Sequence, residues 1–447
     1  MALAQTSVSL AKTSSKPKLQ KREKYEWQGE IPTYVETLKK ELTYPMAWGN
    51  SPIKKKDFKR ASIASIKEKL GLNASASNMV VSSADKPMEF IVMPEAFTEA
   101  TKLPGIPMGV TTILHGHSNT GKSLIKNCLI ASAQKKGILP VIFETENNFS
   151  FQFAINCGMQ ATPVYGDVEV EDVDQETGEV TYHTENRIIN YEGPFLYYDS
   201  QILADRYGDF DHSQGKRVSK KRTVPVIEDI AMCMNELLDM QENGDIQQPL
   251  LFIWDSVGSI SSFKSYNSKS SNAMWDAAAL SVAFNMLLNN RIPSSKKVSS
   301  PYTNTMVAVN KIWLDSMSAP MAAPSVQLKG GNSLLYASRL TILLGGSIKA
   351  STKRLTATSK GETYTYGLVT KIRVVKNQLD SPYNLTYSGT FCCVPDGMIP
   401  ESRLDEYKKQ NISKILKQIQ QQLEDKGEDA SAVSENDIKF IEEESEE

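Results

Sequence analysis

The stretch from His115 to Ser123, HGHSNTGKS, constrains the rest of the chain more than any other. Gly116 is followed after four residues, His117, Ser118, Asn119 and Thr120, by Gly121-Lys122-Ser123. In a loop of this spacing the glycines turn successive backbone N–H groups around the phosphates of a nucleotide. The lysine reaches the β/γ-phosphates and the serine hydroxyl binds Mg²⁺. Such a cradle works only between a strand and a helix N-terminus. Thr111 to His115 is a short β-branched and apolar run. Ser123 to Lys136 then places Leu124, Ile125, Cys128 and Leu129 on one helical face before Gly137, so both flanks fit.

Two further acids follow at strand ends. Leu139 to Glu146, LPVIFETE, is a continuous apolar run of the kind that fills a parallel strand buried on both faces. Glu146, at its tip, is where a carboxylate can orient the water that attacks a γ-phosphate. Leu250 to Asp255, LLFIWD, is a second apolar strand ending in an acid. Asp255 there can hold the Mg²⁺ shell that Ser123 also binds. Many buried strands end in Asp; the preceding loop and Glu146 give this one its meaning.

A chain of 447 residues is long enough for one large α/β domain with smaller additions. The net charge of −2 hides an asymmetry: the first sixty residues carry thirteen Lys and Arg, from Lys12 to Arg60, against few acids, while Glu442, Glu443, Glu444, Glu446 and Glu447 close the other end. Five cysteines without metal-ligand spacing point to a reducing compartment, taken as the cytoplasm. No apolar run approaches the ~20 residues that span a bilayer, so no membrane is expected. Met1 to Arg22 is basic and free of acids. Transit peptides share that composition, but its poverty in arginine favours a disordered tail.

In chain order, helices are expected at Ile31 to Tyr44 and Asp57 to Leu70, and a strand at Asn78 to Ser82. Apolar Ile63, Ile66 and Leu70 need a place to bury, in their own core or against a neighbouring subunit. Residues 165 to 192 interrupt the α/β rhythm, and Tyr207 to Arg222 is a second irregular stretch. Val168, Val170 and Val173, then Val180 and Tyr182, flank Glu176-Thr177-Gly178 as a β-hairpin. Tyr207 to Arg222 ends in the basic cluster Lys216, Arg217, Lys220, Lys221, Arg222, a solvated loop in most proteins and a nucleic-acid contact in some. Val226 to Met240 is helical, and Leu404 to Leu423 reads as one polar helix before the acidic tail.

With these residues in place the chain resembles the RecA family of ATP-dependent strand-exchange proteins, most of all its bacteriophage UvsX-type members, over about residues 61 to 400. Gly105-Ile106-Pro107-Met108-Gly109 is similar to the family's GLPMG turn. Gly330-Gly331-Asn332 with Tyr336-Ala337-Ser338 resembles the run closing its second DNA-binding loop, and Val374-Val375-Lys376-Asn377 resembles its subunit-interface strand.

The resemblance implies a RecA-like P-loop ATPase core with a mostly parallel sheet. A basic extension (1–56) and a helix–strand oligomerisation arm (57–87) would precede the core (88–400, with an insertion at about 165–222), and a C-terminal helix and acidic tail (401–447) would follow. It implies ATP and Mg²⁺ as cofactors, Phe153 stacked on adenine, and Lys376 reaching a neighbouring subunit's ATP as an arginine finger does elsewhere. Gln378 stands where a second lysine is usual, and Lys311 where many members have a γ-phosphate-sensing glutamine. DNA-binding loops would span Ser261 to Met274 and Ile312 to Lys329, with Lys264, Lys269 and Lys329 on phosphates and Met274, Met317 and Met321 wedged between bases. The implied function is filament formation on single-stranded DNA, pairing with double-stranded DNA and strand exchange, with single-strand-binding and loading proteins as further partners. A hexameric helicase and a non-hydrolysing filament protein are the alternatives.

Overall fold

The computed structural model describes residues 84–173, 180–269, 272–315, 325–328, 333–346, 351–359, 361–425 and 433–441. The expected basic extension and nearly all of the expected arm, with their two helices and strand, lie outside these residues.

Six parallel strands form the centre of the main sheet. In chain order they are Thr111–Gly116, Leu139–Glu144, Leu196–Asp199, Leu250–Asp255, Thr305–Asp315 and Leu340–Leu344. Across the sheet the sequence is Leu340–Leu344, Thr111–Gly116, Thr305–Asp315, Leu250–Asp255, Leu139–Glu144 and Leu196–Asp199. Two strands therefore separate Thr111–Gly116 from Leu139–Glu144, its successor in the chain. Open α/β sheets bind ligands outside the carboxyl ends of strands where the winding reverses in this way. Glu362–Asn377, Ser388–Val394 and Gly397–Ile399 extend the sheet by antiparallel pairing.

The continuous apolar runs serve both faces at once. Leu251 and Ile253 join Ile142, Leu114 and the helix Lys122–Lys135 on one side. Phe252 and Trp254 join Phe143 and the helices Ile227–Glu242 and Ala273–Ala283 on the other. On that second face Trp254 stacks on Phe284 with ring centroids 5.3 Å apart. Alternation of side chains along each strand thus fills two layers of core from one run of sequence. Among the described residues no helix is long and apolar enough to cross a membrane.

Several expectations change. The stretch 165 to 222 is not one excursion, because Leu196–Asp199 within it pairs in parallel with Leu139–Glu144 as a strand of the main sheet. The hairpin is longer than its valines suggested, pairing Thr162–Val173 with Val180–Glu192; its tip at 174–179 is outside the described residues. The C-terminal helix divides at Asn411 into Leu404–Gln410 and Ile412–Asp425, with Ile415, Ile419 and Leu423 buried against Tyr366 and Leu355. Beyond it, Lys439–Ile441 pairs with the strand Lys353–Ser359, so part of the expected tail belongs to a sheet.

Candidate functional site

The glycine loop joins the strand Thr111–Gly116 to the helix Lys122–Lys135. A Cβ at Gly116 would stand 2.4 Å from the Leu344 carbonyl oxygen, so the loop leaves its strand where only glycine fits. Gly121 caps the helix at φ 87°, in the left-handed region open to glycine. Within the loop the Thr120 hydroxyl donates to the His117 carbonyl at 2.8 Å. Lys122 Nζ donates to the Gly116 carbonyl at 3.0 Å and to that of His117. Burial is the main cause that lowers the Lys122 ammonium to a pKa of about 8, with Asp255 and Glu146 opposing the fall and Lys311 adding to it.

A cavity of about 370 Å³ opens at this loop. It is lined by Ser118 to Ser123 and, from other elements, by Glu146, Phe153 and Asp255. Gly116 and His117 stand behind that lining and meet it through their carbonyls. Phe153 arrives on the helix Phe151–Asn156, whose N-terminus is capped by Ser150 Oγ accepting from Phe153 N at 3.2 Å.

Glu146 lies two residues past its strand and is anchored by its neighbours. Thr145 N donates to the Asp255 carbonyl at 2.8 Å, tying the turn to the adjacent strand. Ser256 Oγ donates to Glu146 Oε1, Lys311 Nζ stands 2.9 Å from the same oxygen, and Asn148 Nδ2 donates to Oε2 at 3.1 Å. Burial alone would raise the Glu146 pKa, but the bonds from Ser256 and Lys311 outweigh it and hold the carboxyl below its ordinary value. Glu144 has a different place. Wholly buried, it accepts from Glu146 N at 3.1 Å and from Lys126 Nζ at 3.1 Å.

Lys126 is the residue sequence reasoning missed. Only 2% exposed, it is bonded to both Glu144 and Asp255 and lies over the Phe149 ring at 4.9 Å. Its two carboxylate neighbours overcome burial and raise its pKa, so it is a buried cation. The signal was present: Lys126 follows Lys122 by four residues, on the same helix face, between the apolar pairs Leu124-Ile125 and Cys128-Leu129. Ser256 and Lys311 also went unassigned as partners of Glu146.

Among the described residues, the remaining candidates do not line this cavity. Lys376 Nζ donates to the carbonyls of Leu335 and Tyr336, the latter at 3.3 Å, at the end of the helix Ser333–Ala337. Lys264, Lys269 and Met274 are exposed, with Lys264 over the Trp275 ring at 4.6 Å. Their segment is not an open loop, since Phe263–Ser268 is a helix capped by Ser262. Lys269 borders a second cleft of about 500 Å³ with Asn147, Ser261 and Tyr266. The second expected loop begins as a β-ribbon, Ile312 to Asp315 pairing with Ser325 to Leu328. Met317, Met321, Lys329, Gly330, Gly331 and Asn332 lie outside the described residues. The basic cluster is largely engaged: Arg217 with Asp209, Lys221 with Asp205, and buried Arg222 with Asp229 at 2.8 Å.

No protein-family model matches the chain, and no curated protein matches it.

Proposed function

We propose that the protein is a RecA-like, DNA-dependent ATPase that assembles on single-stranded DNA and carries out homologous pairing and strand exchange. The observation that carries this reading is the convergence of Lys122, Ser123, Glu146 and Asp255, from three separate strand ends, on one cavity with Phe153 at its side. The donor set suits a magnesium-bound polyphosphate. The glycine loop with Lys122 lines one side of the cavity, and a hydroxyl and a carboxylate for a hard cation, Ser123 and Asp255, line it as well.

In this reading the loop N–H groups and Lys122 hold the β- and γ-phosphates, and Ser123 and Asp255 hold Mg²⁺, which neutralises phosphate charge when bound. Glu146, kept ionised by Ser256 and Lys311, orients water toward the γ-phosphorus. Phe153 offers its ring to adenine. Lys264, Lys269 and Met274 form the described part of the DNA surface, and Lys376 completes a neighbouring protomer's site once subunits stack.

The deciding experiment is an ATPase assay with and without single-stranded DNA, followed by strand exchange between homologous substrates. DNA-stimulated hydrolysis with homology-dependent exchange is expected. Unwinding of duplex without homologous DNA would favour the helicase instead, and nucleotide binding without turnover would favour a structural filament.

A further inference from the structure

The carboxylates at the cavity are already balanced by the chain's own lysines. Glu144, Glu146 and Asp255 face Lys126, Lys311 and Lys122. Lys126 has the least freedom of the three cations. It is anchored on a helix, 2% exposed, and bonded at once to Glu144, which is fully buried, and to Asp255, 8% exposed at the side chain. Asp255 is also the only one of that pair that lines the cavity. A divalent cation approaching Asp255 therefore meets a carboxylate whose charge is already partly compensated from behind, in surroundings where Coulomb terms are large.

We propose that Lys126 makes metal capture conditional on nucleotide: by bonding both members of the Glu144–Asp255 pair and offsetting one of their two charges it denies Mg²⁺ a tight site of its own, so the metal is held only with the phosphate chain. This rests on the reading of the cavity as a Mg²⁺–nucleotide site. The negative charges of the phosphates, rather than those of Asp255, then supply most of the attraction, and Asp255 is left to orient the metal's shell. Lys126 acts through Asp255 and is a positioning residue. Without it, Glu144 and Asp255 would share a buried space with neither bonded to a cation, a strongly unfavourable state unless a proton or a metal joins them.

The test is Mn²⁺ binding by the full chain, followed by the electron paramagnetic resonance of free Mn²⁺. Wild type should leave Mn²⁺ free until a non-hydrolysable ATP analogue is added, and then take it up. K126A should bind Mn²⁺ without nucleotide at least about tenfold more tightly than wild type. K126R should behave as wild type, and K126A combined with E144Q should lose the gain. Nucleotide-free wild type that binds Mn²⁺ as tightly as the loaded protein, or K126A without a gain, overturns the proposal. Should K126A be unstable, Mn²⁺ should raise its Tm more than that of wild type, and an equal rise counts against the idea. Failure of wild type to take up Mn²⁺ with the analogue refutes instead the underlying nucleotide reading.

Discussion

Lys311 Nζ sits 2.9 Å from Glu146 Oε1, joining the residue level with Gly116 in the sheet to the acid expected to orient water. With the Ser256 hydroxyl, the pairing lowers the Glu146 pKa against burial, and it also occupies one of the carboxylate oxygens. A position read from sequence as an altered phosphate sensor is thus, in the described geometry, a partner of the acid.

Glu146→Gln should retain nucleotide affinity and lose roughly 10²-fold or more in turnover, since an amide does not orient water as a carboxylate does. Lys311→Met tests the pairing itself. Glu146 is held below its usual pKa; if it acts as the carboxylate proposed, removing Lys311 raises that pKa and moves the acid limb of the kcat–pH profile to higher pH. An unmoved limb would mean that Glu146 is not the group titrating there.

Nucleotide affinity should depend on pH through Lys122. Its pKa of about 8 arises chiefly from burial, and an anionic phosphate beside it would raise that value. Binding is then undiminished below pH 8 and weakens as pH rises above it, by up to about tenfold per unit. Calorimetry at pH 8.5 in two buffers of different ionisation enthalpy should register proton uptake on binding. Identical apparent enthalpies would refute the linkage.

Binding to single strands should weaken steeply with salt, and Lys269→Ala should reduce the slope of log K against log salt by about one. Lys216→Ala with Lys220→Ala should leave the slope in place if the DNA surface is that of Lys264 and Lys269; these two lysines are exposed, while Arg217, Lys221 and Arg222 beside Lys216 and Lys220 are tied into ion pairs with Asp209, Asp205 and Asp229. The reverse result would transfer the DNA surface to that cluster.

The strands that carry the cavity were readable because burial on both faces demands continuous apolar sequence, as in Leu139–Glu144 and Leu250–Asp255. Leu196–Asp199 was not, since LYYD is short and half-buried at the sheet edge. Period and spacing also say nothing about pairing across the fold. That Lys126 meets Glu144 and Asp255, or that Arg222 is buried on Asp229, depends on contacts between distant segments. A lysine between the apolar pairs Leu124-Ile125 and Cys128-Leu129 was the one visible sign of the first.

The last prediction concerns Lys376, which is expected to act across a subunit boundary. In its own chain it is bonded to the carbonyls of Leu335 and Tyr336, and burial with the nearby Arg339 lowers its pKa. To serve a neighbour it must leave that helix end, so stacking of protomers has to supply a better acceptor, such as a γ-phosphate. A cation placed there can contribute 10³-fold or more to the rate by ~4 kcal/mol of charge stabilisation. Lys376→Ala should keep nucleotide affinity in the monomer while losing DNA-stimulated hydrolysis. Mixing separates this from a local effect on the Ser333–Ala337 helix. A Lys122→Ala protomer cannot hydrolyse nucleotide but still offers Lys376, whereas a Lys376→Ala protomer keeps its own glycine loop, so co-assembled filaments should recover part of the activity each lacks. If electron microscopy shows co-assembly and hydrolysis does not recover, Lys376 works only within its own chain.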